Sequence, residues 1–248
     1  MRILIANDDG IYSPGICALA EVAAKFGDVR VVAPDVEQSS AGHSITASRP
    51  LSYKRTPLKG IGGIEAYRVN GTPADCVALG THNWEKVDVV LSGINMGSNL
   101  GNAMWHSGTL AAAKQAVLLG LRGIALSAPT TRGGDPDFEQ LKPTVEKVLA
   151  LLLPAHELSL VNVNFPEKEP RGLRWTRQSV RHYDGKVVPG EDPMGRKHFW
   201  FTVIPIEETE AGTDRWAVEQ GYVSMTPLRL DLTNEKELAE AQTRYPLG

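Results

Sequence analysis

Short apolar runs alternating with helical patterns constrain this chain more than any other feature. Residues 3–6, 29–33, 87–91, 123–127 and 160–165 read as strands rich in Val, Ile and Leu. Residues 14–26, 110–119 and 138–153 read as helices between them. The first helix shows a stripe of Ile16, Leu19, Ala20, Ala23 and Ala24, with Ser13 as N-cap and Pro14 at the first helical position. Strand–helix–strand repetition of this kind predicts an α/β fold, a mainly parallel sheet with helices on both faces. Ligands bind such sheets at the carboxyl ends of the strands. The early strands end in Asn7-Asp8-Asp9-Gly10, in Pro34-Asp35 leading to Ser39-Ser40, and in Ser92-Gly93-Ile94-Asn95, so polar residues collect at that edge.

After Pro166 the pattern changes. Residues 167–172 read as a linker, which sets a core at 1–168 and a smaller, extended region at 169–248. In the latter, 199–204 and 221–225 read as strands and 235–245 as a polar helix. Its aromatic residues suit contacts between subunits.

Composition removes several function classes. A formal net charge of -3 over 248 residues gives no basis for binding a nucleic acid polymer. Two cysteines, Cys17 and Cys76, are too few for a disulfide framework and match no zinc spacing. No apolar run reaches the length of a membrane span, and the N-terminus lacks the pattern of a signal peptide. The expectation is a cytoplasmic protein without a membrane contact.

Four stretches can carry chemistry, and three of them also have a purely structural reading. Asp8-Asp9 can share a divalent cation, but only if the chain has left the strand by Asp8, because adjacent side chains of a strand point to opposite faces. Gly10 permits that turn. Otherwise the pair is a solvated turn. The stretch 92–101, with Asn95 and Asn99, supplies amide oxygens for a hard cation and amide groups for phosphate, or is a turn-rich connector. Ser107-Gly108-Thr109 opens a helix whose free amides suit an anion, or is a plain cap. The loop 37–44 carries Ser39 and Ser40. The six His residues form no zinc motif, so oxygen ligation by magnesium or manganese is favoured. A cation beside an anion site suits phosphoester hydrolysis.

The stretches NDDGI (7–11), VVAPDVEQSSAGHSIT (31–46), GTPADCV (71–77), SGINMGSNLG (92–101), HSGT (106–109), VNVNFP (161–166), EDPMGR (191–196) and GYVSMTPL (221–228) together resemble the SurE survival-protein family. The resemblance implies a Rossmann-like, three-layer core and a C-terminal region that builds a homodimer or homotetramer with exchanged segments. It implies a nucleotidase acting on nucleoside 5′- and 3′-monophosphates, with some members acting on short polyphosphate. It places one divalent metal ion per subunit on Asp8, Asp9, Ser39 and Asn95, with Asp8 and Asp9 as the catalytic pair. Substrate phosphate falls to Asn95, Asn99, Ser107, Gly108 and Thr109. Ser39 rather than Ser40 is the hydroxyl ligand by this similarity alone. Attack by water and attack by Asp8 through an aspartyl-phosphate both stay open. A dinucleotide-dependent oxidoreductase is the rival enzyme class, but no G-x-G-x-x-G follows the first strand. A metal-dependent nucleotide sensor or assembly protein is the non-enzymatic alternative.

Overall fold

The computed structural model describes residues 1–58, 60–130, 134–180, 184–204 and 209–246. In chain order these form β1 (Arg2–Ala6), α1 (Pro14–Ala23), β2 (Asp28–Pro34), β3 (Tyr53–Arg55), β4 (Glu65–Val69), α2 (Pro73–His82), β5 (Val89–Met96), a 3₁₀ turn (Gly101–Trp105), α3 (Gly108–Leu118) and β6 (Arg122–Ala128). They continue with α4 (Phe138–Leu152), β7 (Leu160–Asn164), β8 (Leu173–Trp175), β9 (Asp184–Glu191), β10 (Lys197–Ile204), α5 (Asp214–Glu219), β11 (Val223–Pro227) and α6 (Glu235–Arg244).

One large sheet has the order β3-β4-β2-β1-β5-β6-β7-β11-β8. The run from β4 to β7 in that order is parallel throughout, while β3 and β11 meet their inner neighbours antiparallel. The first strand therefore ends in the middle of the sheet, between β2 and β5. Alternation along β1 builds the layers on either side. Ile3 and Ile5 pack with Ile16 and Leu19 of α1 and with Val145, Val148 and Leu149 of α4. Leu4 and Ala6 pack on the opposite face with Cys76 and Val77 of α2 and Ala112 and Ala116 of α3. Both faces are buried, which is why these strands read as continuous apolar runs. Each fully buried Ile or Leu contributes about 1.5–3 kcal/mol relative to exposure.

Helix starts follow the capping chemistry of the sequence. Ser13 caps α1, with Pro14 at its first position. Thr72 and Asp75 form a capping box at α2, and the Asp75 carboxylate also accepts from the Thr46 amide (2.9 Å). Burial alone would push Asp75 up, but the bonds from Thr46 and Thr72 outweigh it and hold the group below the usual carboxylate range. Asp75 is thus a structural residue.

The end of α4 is closed differently. Its last carbonyls have no partner within the helix, and the Arg122 guanidinium from β6 takes them up. Nη2 donates to Leu152 O (2.7 Å) and Ala155 O (2.8 Å), Nη1 to Leu153 O (2.9 Å) and Nε to Leu158 O (3.0 Å).

Three features differ from the sequence expectation. The strand foreseen at 87–91 begins at Val89 and continues to Met96, with a register shift against β6 between Ser92 and Asn95. Backbone pairing to β6 carries it past the point where its apolar side chains stop. Strands β3, β4, β8 and β9 and the short α5 had no clear apolar period. Beyond residue 168, β8 and β11 enter the large sheet, whereas β9 and β10 pair only with each other among the described residues. Helix α6 buries no residue. No helix of the described residues is long and apolar enough to cross a membrane.

Replacing Arg122 by Leu orphans carbonyls at the end of α4 and is expected to cost about 2–4 kcal/mol. Chemical denaturation of the variant measures this. Arg122→Lys recovers only part, because an ammonium cannot span the carbonyls as the planar fork does.

Candidate active site

The strand β1 ends at Ala6, and Asn7 begins a turn. Asn7, not an aspartate, closes that turn. Its Nδ2 donates to Gly10 O (3.0 Å) and to Ser13 Oγ (2.8 Å). Gly10 takes φ +94°, which a residue with a side chain rarely adopts. The Ile11 amide then bonds Pro34 O at the end of β2 (2.9 Å). Both aspartates have left the strand, and neither carboxylate is consumed by the turn.

Asp8 is 5% exposed and faces the start of α3. Its Oδ1 accepts from Thr109 Oγ1 (2.6 Å). A Cβ on Gly108 would lie 2.7 Å from Asp8 Cβ and 2.9 Å from Oδ2, so only glycine lets the helix come this close. Ser107 caps α3 by accepting from Leu110 N (3.0 Å). The N-terminus of α3, expected to face an anion, faces the Asp8 carboxylate, as its dipole favours.

Asp9 turns toward β5. Its Oδ2 accepts from the Met96 amide (3.2 Å), next to Asn95. The Asn95 side chain donates through Nδ2 to Gly97 O (2.6 Å). Among the described residues, Asp9 Oδ1 and Asn95 Oδ1 accept no hydrogen bond.

Ser39 lies in an exposed loop after β2, and its hydroxyl donates to Glu37 rather than to either aspartate. The loop itself is fastened over the site. Gln38 N donates to Asp8 O (2.8 Å) and Gly42 N to His106 O (3.0 Å). His43 bonds Gln115 of α3, and Ser44 O accepts from Thr72 Oγ1.

Asn99 is buried at the centre of a polar cluster. Its Nδ2 donates to Ser127 Oγ (2.9 Å) and lies 3.4 Å from Thr109 Oγ1. Its amide N donates to Asn164 Oδ1 (2.8 Å), and its carbonyl accepts from Asn162 Nδ2 (2.8 Å) and Asn164 Nδ2 (3.1 Å). A continuous hydrogen-bonded path thus runs Asp8–Thr109–Asn99–Ser127. The structure brings Asp8, Asp9, Asn95, Asn99, Ser107, Gly108 and Thr109 to one edge, with Ser39 on the loop above it.

Sequence reasoning missed Ser127, Asn162 and Asn164. The signal was present: two asparagines alternating with Val161 and Val163 in an otherwise apolar strand, all fully buried. A buried amide on a strand has to find a polar partner.

Electrostatics set the two aspartates apart from the rest of the edge. Burial pushes the Asp8 carboxyl up, against the opposing bonds from Thr109 and Gly108. Burial and then the neighbouring Asp8 charge push Asp9 up to about 7, against the Met96 amide. Glu37 and Asp135 add to this. The donor set is oxygen-only and surplus in negative charge, which fits a hard divalent cation.

Known proteins share this arrangement's sequence. The model of the family "Survival protein SurE" matches residues 3–185. A 5′-nucleotidase SurE 1 of Thermus thermophilus is 49% identical, over 94% of this chain and 93% of that protein. A 5′-nucleotidase SurE of Deinococcus radiodurans is 44% identical, over 99% of this chain and 93% of that protein. The crystal structure of the SurE protein from Aquifex aeolicus superposes with a TM-score of 0.82 at 39% identity, covering 98% of this chain and 99% of that one. With its strand-end aspartates, its Asn-rich loop and these relatives over nearly its whole length, the chain belongs to the SurE family.

Proposed function

We propose that this protein is a 5′-nucleotidase, releasing phosphate from nucleoside 5′-monophosphates at the edge where β1, β5 and α3 meet. The observation that carries this is the pair Asp8 and Asp9. A buried and an adjacent, partly buried carboxylate lie at one edge, and no cationic side chain is among the groups that set their charge. Nucleotidase names among close relatives support the same substrate class. A 3′-monophosphate or a short polyphosphate presents the same terminal group, so both belong to the reading.

One divalent cation, magnesium or manganese, would be held by Asp8, Asp9 and Asn95, with Ser39 joining by releasing Glu37. Such a cation supplies charge that draws electron density from the phosphoryl oxygens. The chain's own residues do the rest. Thr109 and the close backbone of Gly108 hold the Asp8 carboxylate in one orientation. Asn99 fixes the Thr109 hydroxyl in turn. The amides at the start of α3, with Ser107 and Asn99, favour the negative charge of the phosphate. Asp8 or Asp9 accepts the proton of an attacking water. The grip on Asp8 disfavours the movement a nucleophile needs, so direct water attack is preferred over an aspartyl-phosphate.

The uncovered parts of the C-terminal region fit subunit contacts. Val187, Phe199 and Trp200 of the β9–β10 hairpin are exposed, as is Leu238 of α6. A homodimer or homotetramer covers them. The unpaired thiols of Cys17 and Cys76 suit the reducing cytoplasm.

Chelation is expected to abolish phosphate release across a panel of nucleoside monophosphates, and added Mn2+ or Mg2+ to restore it. Release that survives chelation contradicts the reading. Asp9→Asn is expected to lower kcat by about 100-fold or more, while Thr109→Val lowers it by about 10-fold with the fold retained. Proton and cation compete for Asp9, whose folded pKa is raised. Mn2+ affinity should therefore weaken as pH falls through about 7. The same shift means that the metal-free protein loses stability as pH rises from about 4 toward 7, because the native state binds the extra proton. Calorimetric titration and thermal unfolding across that range test both signs.

A further inference from the structure

Gly101 lies two residues beyond Asn99 and opens the 3₁₀ turn that leads to Ser107. Its backbone is gripped from far along the chain. Its N–H donates to Asp214 Oδ2 (2.8 Å), 113 residues away. Its carbonyl accepts from Gln178 Nε2 (3.1 Å). A Cβ at Gly101 would stand 2.5 Å from Ser179 Oγ, so the contact leaves no space for a side chain. The other oxygen of Asp214, Oδ1, accepts from the amides of Ser179 (3.0 Å) and Arg215 (2.7 Å).

Asp214 is 0% exposed. A carboxylate is kept in such a place only where its oxygens are satisfied. Here they are satisfied by amides that belong to separate segments, Gly101 and Ser179, as well as by the next residue. The helix α5 does not need this carboxylate as a cap, because Thr213 already accepts from Trp216 N. Asp214 instead reaches out of its own helix to the loop of the active edge. Asn99 is thereby held from two sides: its backbone by Asn162 and Asn164 of β7, and its loop, through Gly101, by Asp214 and Gln178.

We infer that Asp214 is a positioning residue for phosphate hydrolysis, fixing the 99–101 loop so that Asn99 meets Thr109 and the substrate phosphate in one geometry. The inference rests on the reading of Asn99 as part of the phosphate seat. Its sign is distinctive. Neutralising Asp214 removes a negative charge, and charge alone would make an anion bind more tightly. Loss of position makes it bind more weakly.

The test compares full-length wild type, Asp214→Asn, Gln178→Ala and Asn99→Ala. Four quantities are measured: kcat/KM for a nucleoside 5′-monophosphate, inhibition by inorganic phosphate, Mn2+ affinity and the unfolding temperature. Asp214→Asn is expected to lower kcat/KM by about 10–100-fold and to weaken phosphate inhibition, with Mn2+ affinity unchanged. Gln178→Ala moves both in the same direction by less, and it decides the matter if Asp214→Asn does not fold. A folded Asp214→Asn with wild-type kcat/KM, with tighter phosphate inhibition, or with Mn2+ affinity lost in parallel overturns the inference. So does an unchanged Gln178→Ala when Asp214→Asn fails to fold. If Asn99→Ala keeps full phosphate affinity, the phosphate seat itself is wrong. If Asn99→Ala loses it while Asp214→Asn does not, only the positioning role fails.

Discussion

The hydrogen bond from the Thr109 hydroxyl to Asp8 is the contact on which the active edge depends. It joins the end of the central strand to the first turn of α3, across 101 residues of chain. Gly108 makes it possible by leaving the space that any Cβ would fill. Through Thr109 the same contact reaches Asn99, and through Asn99 the ends of β6 and β7. Three strand ends and one helix start are thus set by a single polar path. Polar groups in such a path, shielded from water, gain when all are satisfied and cost heavily when one is lost.

That path explains the charge arrangement. A fold gains nothing by burying two adjacent carboxylates unless something shares their charge. Asn7 closes the turn, so neither aspartate is spent on it. Thr109 and the Met96 amide each engage one oxygen of a carboxylate. Under the proposed reading, the remaining carboxylate oxygens, with Asn95 Oδ1, would serve as a hard-cation donor set. The loop bearing Ser39 lies over them, fastened at Gln38 and Gly42.

Much of this was legible in the sequence, for local reasons. A strand ending in Asn-Asp-Asp-Gly is read from a short window, and so are a helix opened by Ser-Gly-Thr and a loop rich in Gly and Asn. The parallel core followed from apolar runs alternating with helical stripes. What stayed hidden depends on contacts distant in sequence. Asn162 and Asn164 lie within the segment 160–165 that reads simply as a strand, and the Asn99 they hold is 65 residues from Asn164. Asp214 and Gln178 lie beyond the expected boundary at 168, yet they grip the active loop. The segment 221–225 read as a strand, but nothing local says that β11 joins β7 antiparallel. The short β3 and β4 carry too few buried side chains to give a period.

The central claim is that Asp8, Asp9 and Asn95 hold a divalent cation at the edge where phosphate is cleaved. Anomalous diffraction at the manganese edge, from crystals grown at an Mn2+ concentration that supports full turnover, tests it most directly. The account predicts one strong peak per subunit, about 2.1 Å from carboxylate oxygens of Asp8 and Asp9 and close to Asn95 Oδ1. A peak elsewhere, or none at this edge under those conditions, contradicts it.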